Sequence, residues 1–240
     1  MLYVFDVDGT LVEPAKRMPP EFSARFSAWA KGRRYFLVSG STLEKMDEQV
    51  PFPIMSNAEG WFPCLGNERW YRGSLVSTDK VYWPRELNTT LLQFVDRSVF
   101  TPKDEPHIED RGAMLCFAVP GRKADDDTRR RYAEFDRMYN ERRYIVTELS
   151  HRFTRFTATI GGQISIDLSM RGYDKSQVLK FIRQYSEEPI TFFADKGYKG
   201  GNDFPLACAL EAENRGNVVI HVNKPADTEL AMKHIEEDGL

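Results

Sequence analysis

Cysteine is scarce in this chain, with three residues, Cys64, Cys116 and Cys208. An odd number at such wide spacing excludes a disulfide framework and a zinc site of paired ligands, and suits a reducing, cytoplasmic setting. Histidine is nearly as thin: His107, His151, His221 and His234 show no metal-ligand spacing and read as structural or surface residues. Long apolar runs are missing. Nothing approaches the roughly 20 residues that span a bilayer, and the apolar start at Met1 to Phe5 meets Asp6 before reaching the length of a signal-peptide core. No membrane partner is expected. Nor is charge of one sign concentrated. The net charge is −3, and apart from the short Arg129-Arg130-Arg131 run there is no basic block, so nucleic acid is not an expected partner. Internal repeats and low-complexity tracts are absent as well. What remains, 41% hydrophobic and 29% charged over 240 residues, is the composition of an ordinary globular protein with one large domain or two modest ones.

The strongest local signal stands at the front. Leu2 to Phe5 is wholly apolar, with a β-branched residue and two aromatics, the composition of a strand buried on both faces of a parallel sheet. Asp6-Val7-Asp8-Gly9-Thr10 follows at once. Two carboxylates two positions apart, backed by Gly-Thr, put charge where a buried strand ends, which is where open α/β sheets bind ligands. Buried carboxylates need a cation or hydrogen-bond donors close by. Phosphoryl transfer uses such a pair well. Asp6 attacks phosphorus and forms an aspartyl phosphate beside a divalent cation, while Asp8 protonates the leaving oxygen and later takes a proton from the acceptor. The plainer alternative is a polar strand-end turn built on Asp8-Gly9.

Further along, apolar spacing predicts a helix over 21–31, a strand over 35–38 ending in Ser39-Gly40-Ser41-Thr42, and a helix over 43–50 capped by Thr42 or Ser41. Ser39 is then free to hydrogen-bond a phosphate oxygen, or simply belongs to the helix entry. A third short strand is expected at Pro53 to Ser56 and a hairpin over 61–71. The pattern then changes to a helix at 84–99, period-two runs at 107–110 and 113–119, a charged helix at 125–140 and a hairpin at 155–168 turning on Gly161-Gly162. Alternating strand and helix return with Asp174, expected to cap a helix over 175–185. A strand at 190–193 follows with Asp195 at its end; Gly200-Gly201-Asn202-Asp203 opens a helix through Glu211, and a last strand at 218–222 precedes a helix from Ala226. The expected fold is α/β: a Rossmann-like core with a parallel sheet, made from 1–81 and 172–240, and an inserted α+β domain with an antiparallel sheet at 82–171.

Asp6, Asp8, Ser39, Lys175, Asp195 and Asp203 together make a parts list for magnesium-dependent phosphoryl transfer. Magnesium takes hard oxygen ligands, which Asp6, Asp195, Asp203 and Asp8 or a backbone carbonyl near it supply, leaving positions for water and phosphate. Lys175 offsets charge on phosphoryl oxygens, although alone it would read as a solvated surface lysine. The order of these motifs resembles the haloacid dehalogenase (HAD) superfamily and, in finer detail, the eukaryotic-type phosphomannomutase family. Phe5 to Leu11 is similar to that family's opening, and Gly161-Gly162-Gln163-Ile164-Ser165-Ile166-Asp167 resembles its GGxISFD segment. Tyr173-Asp174-Lys175 resembles its WDK, and Phe192 to Lys196 with Gly200 to Asp203 resembles its FFGDK…GGND. The likeness spans nearly the whole chain and implies a HAD-like core whose inserted domain is a cap that sets substrate specificity.

The same resemblance implies that Arg111, Arg122, Arg129, Ser165 and Asp167 contact a sugar phosphate, together with Lys16 or Arg17 after the first motif. The chemistry agrees: a hexose bisphosphate has a second phosphate far from Asp6, and arginine forks bind phosphate bidentately. Ser165 and Asp167, two apart on an expected strand, share a face. For Arg129 the plainer reading is a salt-bridged helix surface with Asp125 and Asp126. Some positions depart from the family pattern. The loop after Leu11 is one residue longer, Asn57-Ala58-Glu59-Gly60 replaces Glu-Asn-Gly, and Phe204 to Ala209 carries no acid for a second cation. The implied protein is a phosphohexomutase that interconverts hexose 1-phosphate and hexose 6-phosphate. It uses Mg2+, takes hexose 1,6-bisphosphate as activating phosphoryl donor, and pairs as a homodimer through the cap. A sugar-phosphate phosphatase with water as acceptor needs the same carboxylates; a non-catalytic phosphoacceptor module needs fewer.

Overall fold

Leu2–Asp6 forms a strand, β1, in which every residue is buried, in a computed structural model that describes residues 1–237. After it come α1 (Pro20–Trp29), β2 (Arg34–Val38), α2 (Leu43–Gln49), α3 (Phe52–Asn57), β3 (Gly60–Phe62), β4 (Glu68–Tyr71) and β5 (Ser74–Thr78). The middle of the chain gives α4 (Arg85–Arg97), β6 (Ile108–Asp110), β7 (Met114–Phe117), α5 (Asp126–Tyr139), α6 (Glu141–Arg152), β8 (Phe156–Ile160) and β9 (Ile166–Met170). The remainder holds α7 (Ser176–Ile182), β10 (Ile190–Ala194), α8 (Phe204–Ala212), β11 (Val218–His221) and α9 (Pro225–Glu237). Two compact units result: Met1–Thr78 with the stretch from Tyr173 onward, and Asp79–Gly172.

The first unit is an α/β layer structure around a seven-stranded sheet, ordered β11-β10-β1-β2-β3-β4-β5. Neighbours run parallel from β11 to β3 and antiparallel from β3 to β5. Period-two alternation sorts the side chains of β1. Tyr3 and Phe5 pack with Phe22, Phe26 and Trp29 of α1, while Leu2 and Val4 pack with Val178 and Ile182 of α7 and Leu206 and Leu210 of α8. Helices on both faces are what an apolar strand without polar alternation requires.

The strand expected at Pro53 to Ser56 is instead the helix α3. Pro51 precedes it and Pro53 lies in its first turn, where a fixed φ and a missing N–H fit a helix start. The neighbouring strand position beside β2 is taken by β3. The helix expected at 175–185 is shorter, and Asp174 Oδ1 accepts the Ser176 amide at 2.9 Å at its entrance. Two further elements, β5 and α6, had no sequence expectation. β5 is largely exposed and shows no alternation; α6 buries only Ile145 and Leu149 and is separated from α5 by Asn140 in the left-handed region.

The second unit has its own four-stranded antiparallel sheet, ordered β6-β7-β9-β8. Leu115, Phe117, Phe156 and Leu168 pack with Leu87 and Leu91 of α4, Tyr132 of α5, and Ile145 and Leu149 of α6. Cys116 and Asp167 are cross-strand partners on β7 and β9, at positions alternate to those apolar ones.

Candidate active site

Asp6 continues the alternation of Leu2 and Val4, so it belongs to the sheet face covered by α7 and α8. Lys175 immediately precedes α7 and Asp203 immediately precedes α8. Lys175 is wholly buried, and its Nζ donates to Asp6 Oδ1 and Asp203 Oδ1, each at 2.5 Å. Because Phe5 is level with Phe193 in the parallel pair of β1 and β10, Asp195 emerges at the same sheet edge. Carboxylate oxygens of Asp6, Asp195 and Asp203 lie within 4.8 Å of one another. Lys196 pairs with Asp195 through Nζ, and its amide donates to Asp203 Oδ2 at 3.0 Å. Gly9 has φ +93°, and a β-carbon there would overlap the Asp195 carboxylate, so a side chain is excluded for two reasons.

Three carboxylates against two ammoniums leave excess negative charge in a largely buried site. Burial pushes the Asp6 carboxyl well above its ordinary value, Asp203 adds repulsion, and Lys175 pulls the other way. Asp195 is pushed up to about 6, by burial against the attraction of Lys196. Burial works against the charge on Lys175, yet Asp203 and Asp6 hold its pKa above the usual value. Asp6 Oδ2 is buried without a hydrogen-bond partner among the described residues. Converging hard oxygens, one of them unpartnered, together with the surplus charge suit a divalent cation, and the aspartate triad is able to bind a metal.

Asp8 turns away from this triad. The amides of Leu11 and Val12 donate to the Val7 carbonyl, and the Gly9 amide donates to Val12, closing a tight turn. Within it Asp8 Oδ1 accepts Gln49 Nε2 at 2.8 Å and the Ala15 amide at 3.2 Å, while Oδ2 accepts Ser41 Oγ at 3.0 Å. Burial alone would raise the Asp8 carboxyl, but the Lys45 charge and these donors hold it below its ordinary value. Of the four expected metal carboxylates, three gather and Asp8 stands apart from them. Ser39, just past β2, is buried and its Oγ accepts the Ser41 amide at 2.9 Å. Lys16 and Arg17 are exposed.

Apart from Lys16 and Arg17, the expected sugar-phosphate residues lie in Asp79–Gly172. Arg111 is bidentate to Glu109, at 2.9 and 3.0 Å, and Arg122 Nε donates to the same carboxylate at 2.9 Å. Burial opposes the charge on Glu109, but Arg111 and Arg122 overcome it and bring its carboxyl down to about 2. Arg129 donates through Nε to the Ala124 carbonyl at 2.8 Å and through Nη2 to the Arg122 carbonyl at 2.9 Å. Ser165 lies just before β9 and Asp167 within it, both buried. A β-carbon on Gly161 would overlap the Asp167 carboxylate. Sequence reasoning assigned no role to Gln49, Glu109, Asp136, Arg142 or Lys196. Adjacency to Asp195 was the available signal for Lys196; the others act across folded contacts that carry no local pattern.

The sequence model of the family described as eukaryotic phosphomannomutase matches residues 30–237. A phosphomannomutase from Encephalitozoon cuniculi is 31% identical over 251 residues, covering 100% of this chain and 96% of that protein. Among solved structures, the C-terminal domain of Candida albicans trehalose-6-phosphate phosphatase aligns with a TM-score of 0.71 at 15% identity, covering 98% of this chain and 91% of that one. A haloacid dehalogenase-like hydrolase from Bacteroides thetaiotaomicron aligns with a TM-score of 0.60 at 14% identity, covering 98% of both chains. At such identities the two structures speak for the fold alone, which is HAD-like.

Proposed function

The chain belongs to the eukaryotic phosphomannomutase family, and from that membership we propose how its residues divide the work of a phosphomannomutase. Asp6 is the phosphoryl acceptor. One observation supports this above the others: Lys175 holds Oδ1, while Oδ2 is buried with no hydrogen-bond partner among the described residues. A hexose 1,6-bisphosphate loads the enzyme as Asp6 Oδ2 bonds to phosphorus, the phosphorus–oxygen bond to the sugar breaks, and protonated Asp8 gives its proton to the departing sugar oxygen, which leaves Asp8 as a carboxylate. In turnover the hydroxyl of a hexose monophosphate gives its proton to the Asp8 carboxylate and its oxygen takes the phosphoryl group from Asp6. The bisphosphate so formed presents its other phosphate, the phosphoryl group returns to Asp6, and Asp8 hands its proton to the departing oxygen. The donors and the Lys45 charge around Asp8 favour the carboxylate with which that cycle begins.

Mg2+ is the cation, held by Asp6, Asp195, Asp203 and a carbonyl near Asp8; when bound it supplies positive charge for the transferring phosphoryl oxygens. Ser39 and Lys175 bind phosphate oxygens, and Lys175 also fixes Asp6 against Asp203. The second unit is the cap: Arg111, Arg122, Arg129, Ser165 and Asp167 recognise the sugar phosphate, with Lys16 as a further contact. The homodimer forms through this unit, a reading supported by exposed apolar side chains on its helices, Met138, Tyr139 and Tyr144 among them. Three free cysteines, and no helix among the described residues long and apolar enough to cross a membrane, are consistent with a cytoplasmic site of action.

The test supplies mannose 1-phosphate, magnesium and a trace of glucose 1,6-bisphosphate, and measures hexose 6-phosphate against free phosphate. Hexose 6-phosphate is the expected product. Free phosphate alone would overturn transfer to sugar and make water the acceptor.

A further inference from the structure

The turn between β8 and β9 carries two glycines, a composition that leaves its backbone loosely determined. Gly161 has to be a glycine because the Asp167 carboxylate occupies the space of a β-carbon. Within the turn the Gly161 amide donates to the Ser165 carbonyl at 3.0 Å, and Arg142 adds support from outside it. Its Nη1 donates to the carbonyls of Gly162 at 2.9 Å and Ser165 at 3.3 Å, and its Nε donates to Asp136 Oδ2 at 2.8 Å. The Arg142 amide also donates to Asp136 Oδ1 at 2.7 Å, so that both the backbone and the side chain of Arg142 are tied to α5. Asp136 stands seven residues after Arg129, two turns along the same side of α5. The side chains of Arg142 and Asp136 are 12% and 11% exposed. A buried pair of this kind contributes little net stability compared with apolar packing, and is better suited to fixing geometry. A planar guanidinium that spans one carboxylate and two carbonyls does that, where a lysine ammonium would not.

We propose that Asp136 and Arg142 are positioning residues that hold Arg129 on α5 in register with Ser165 and Asp167 on the turn, so that the sugar phosphate meets a preformed set of donors and acceptors. This rests on the assignment of those three residues to the sugar phosphate. The experiment measures steady-state kinetics with mannose 1-phosphate for Arg142→Ala, Asp167→Asn and the double variant, with folding checked by circular dichroism. Arg142→Ala is expected to raise KM about tenfold, the order of one lost hydrogen bond to a charged group, with kcat at saturating sugar within about threefold of the parent. The rise should be smaller in the Asp167→Asn background, because one of the groups being positioned no longer holds the sugar. An unchanged KM in Asp167→Asn would overturn the underlying sugar-phosphate assignment. A raised KM in Asp167→Asn with no rise in folded Arg142→Ala, or with independent, multiplying effects, would overturn the positioning role alone. If Arg142→Ala does not fold, Asp136→Asn, alike in shape, carries the same test with an expected rise of about threefold, on the usual scale for weakening one charged hydrogen bond; no rise overturns the proposal.

Discussion

The two oxygens of Asp6 have unequal surroundings, and the difference is what a nucleophilic carboxylate requires. Lys175 fixes one and the other is left without a donor inside the protein. Asp6→Asn keeps the shape but replaces a carboxylate oxygen by an amide nitrogen. Turnover should fall by about 10⁴-fold or more, as when a covalent nucleophile is removed, and labelled hexose 1,6-bisphosphate should leave no label on the protein. A labelled, active variant would show that the covalent step does not use Asp6. Gly9 shapes the same pocket by having no side chain. In Gly9→Ala the β-carbon has to displace the Asp195 carboxylate from a backbone position that already disfavours alanine. Apparent magnesium affinity should drop by at least about tenfold, as for loss of a ligand-orienting contact, which a magnesium titration of activity measures. The glycine of the opening motif was visible in the sequence; its reason, a carboxylate arriving from a strand far along the chain, was not.

Among the elements, α2 was readable from its cap and apolar residues, and Thr42 Oγ1 does accept the Lys45 amide, at 3.4 Å. Its function toward Asp8 was not readable, because Lys45 and Gln49 reach that carboxylate only once α2 packs beside the first turn. The same limit explains α3. Its short apolar stretch satisfies helix and strand alike, and the choice fell to the prolines and to β3 filling the neighbouring strand position. On β6, Glu109 ties two arginines together, and its carboxyl lies at about 2, below its ordinary 4.5. A carboxyl lowered on folding stabilises the fold fully above its unfolded pKa and ceases to do so as pH falls through its folded one. Glu109→Gln should therefore destabilise the protein at pH 6 and by much less at about pH 2. The effect is modest because Glu109 is 38% exposed. Urea unfolding at the two pH values checks this, and an equal loss at both would refute it.

At the scale of the molecule, the two units have separate apolar cores, one on both faces of the seven-stranded sheet and one between the four-stranded sheet and its helices. A fragment spanning 79–172 should accordingly fold alone and melt cooperatively; a non-cooperative melt would deny it independence. Magnesium should stabilise the other unit by about 2.7 kcal/mol at a concentration one hundred times its Kd. In calorimetry this appears as an upward shift that Asp195→Asn abolishes. Most strands and helices were legible in the sequence, since burial and periodicity are local properties that each segment carries with it. So was the placement of charge at a strand end, from Asp6 to Asp8, and with it the phosphoryl chemistry. Sequence alone had grouped Asp6, Asp8, Ser39, Lys175, Asp195 and Asp203 as one site. Only the tertiary structure assigned their partners, giving Asp8 to Ser41 and Gln49 and Lys175, 169 residues away, to Asp6. The physical reason is that a side chain's partners follow from strand order and from where helices begin beside the sheet, and both are settled by contacts between distant segments.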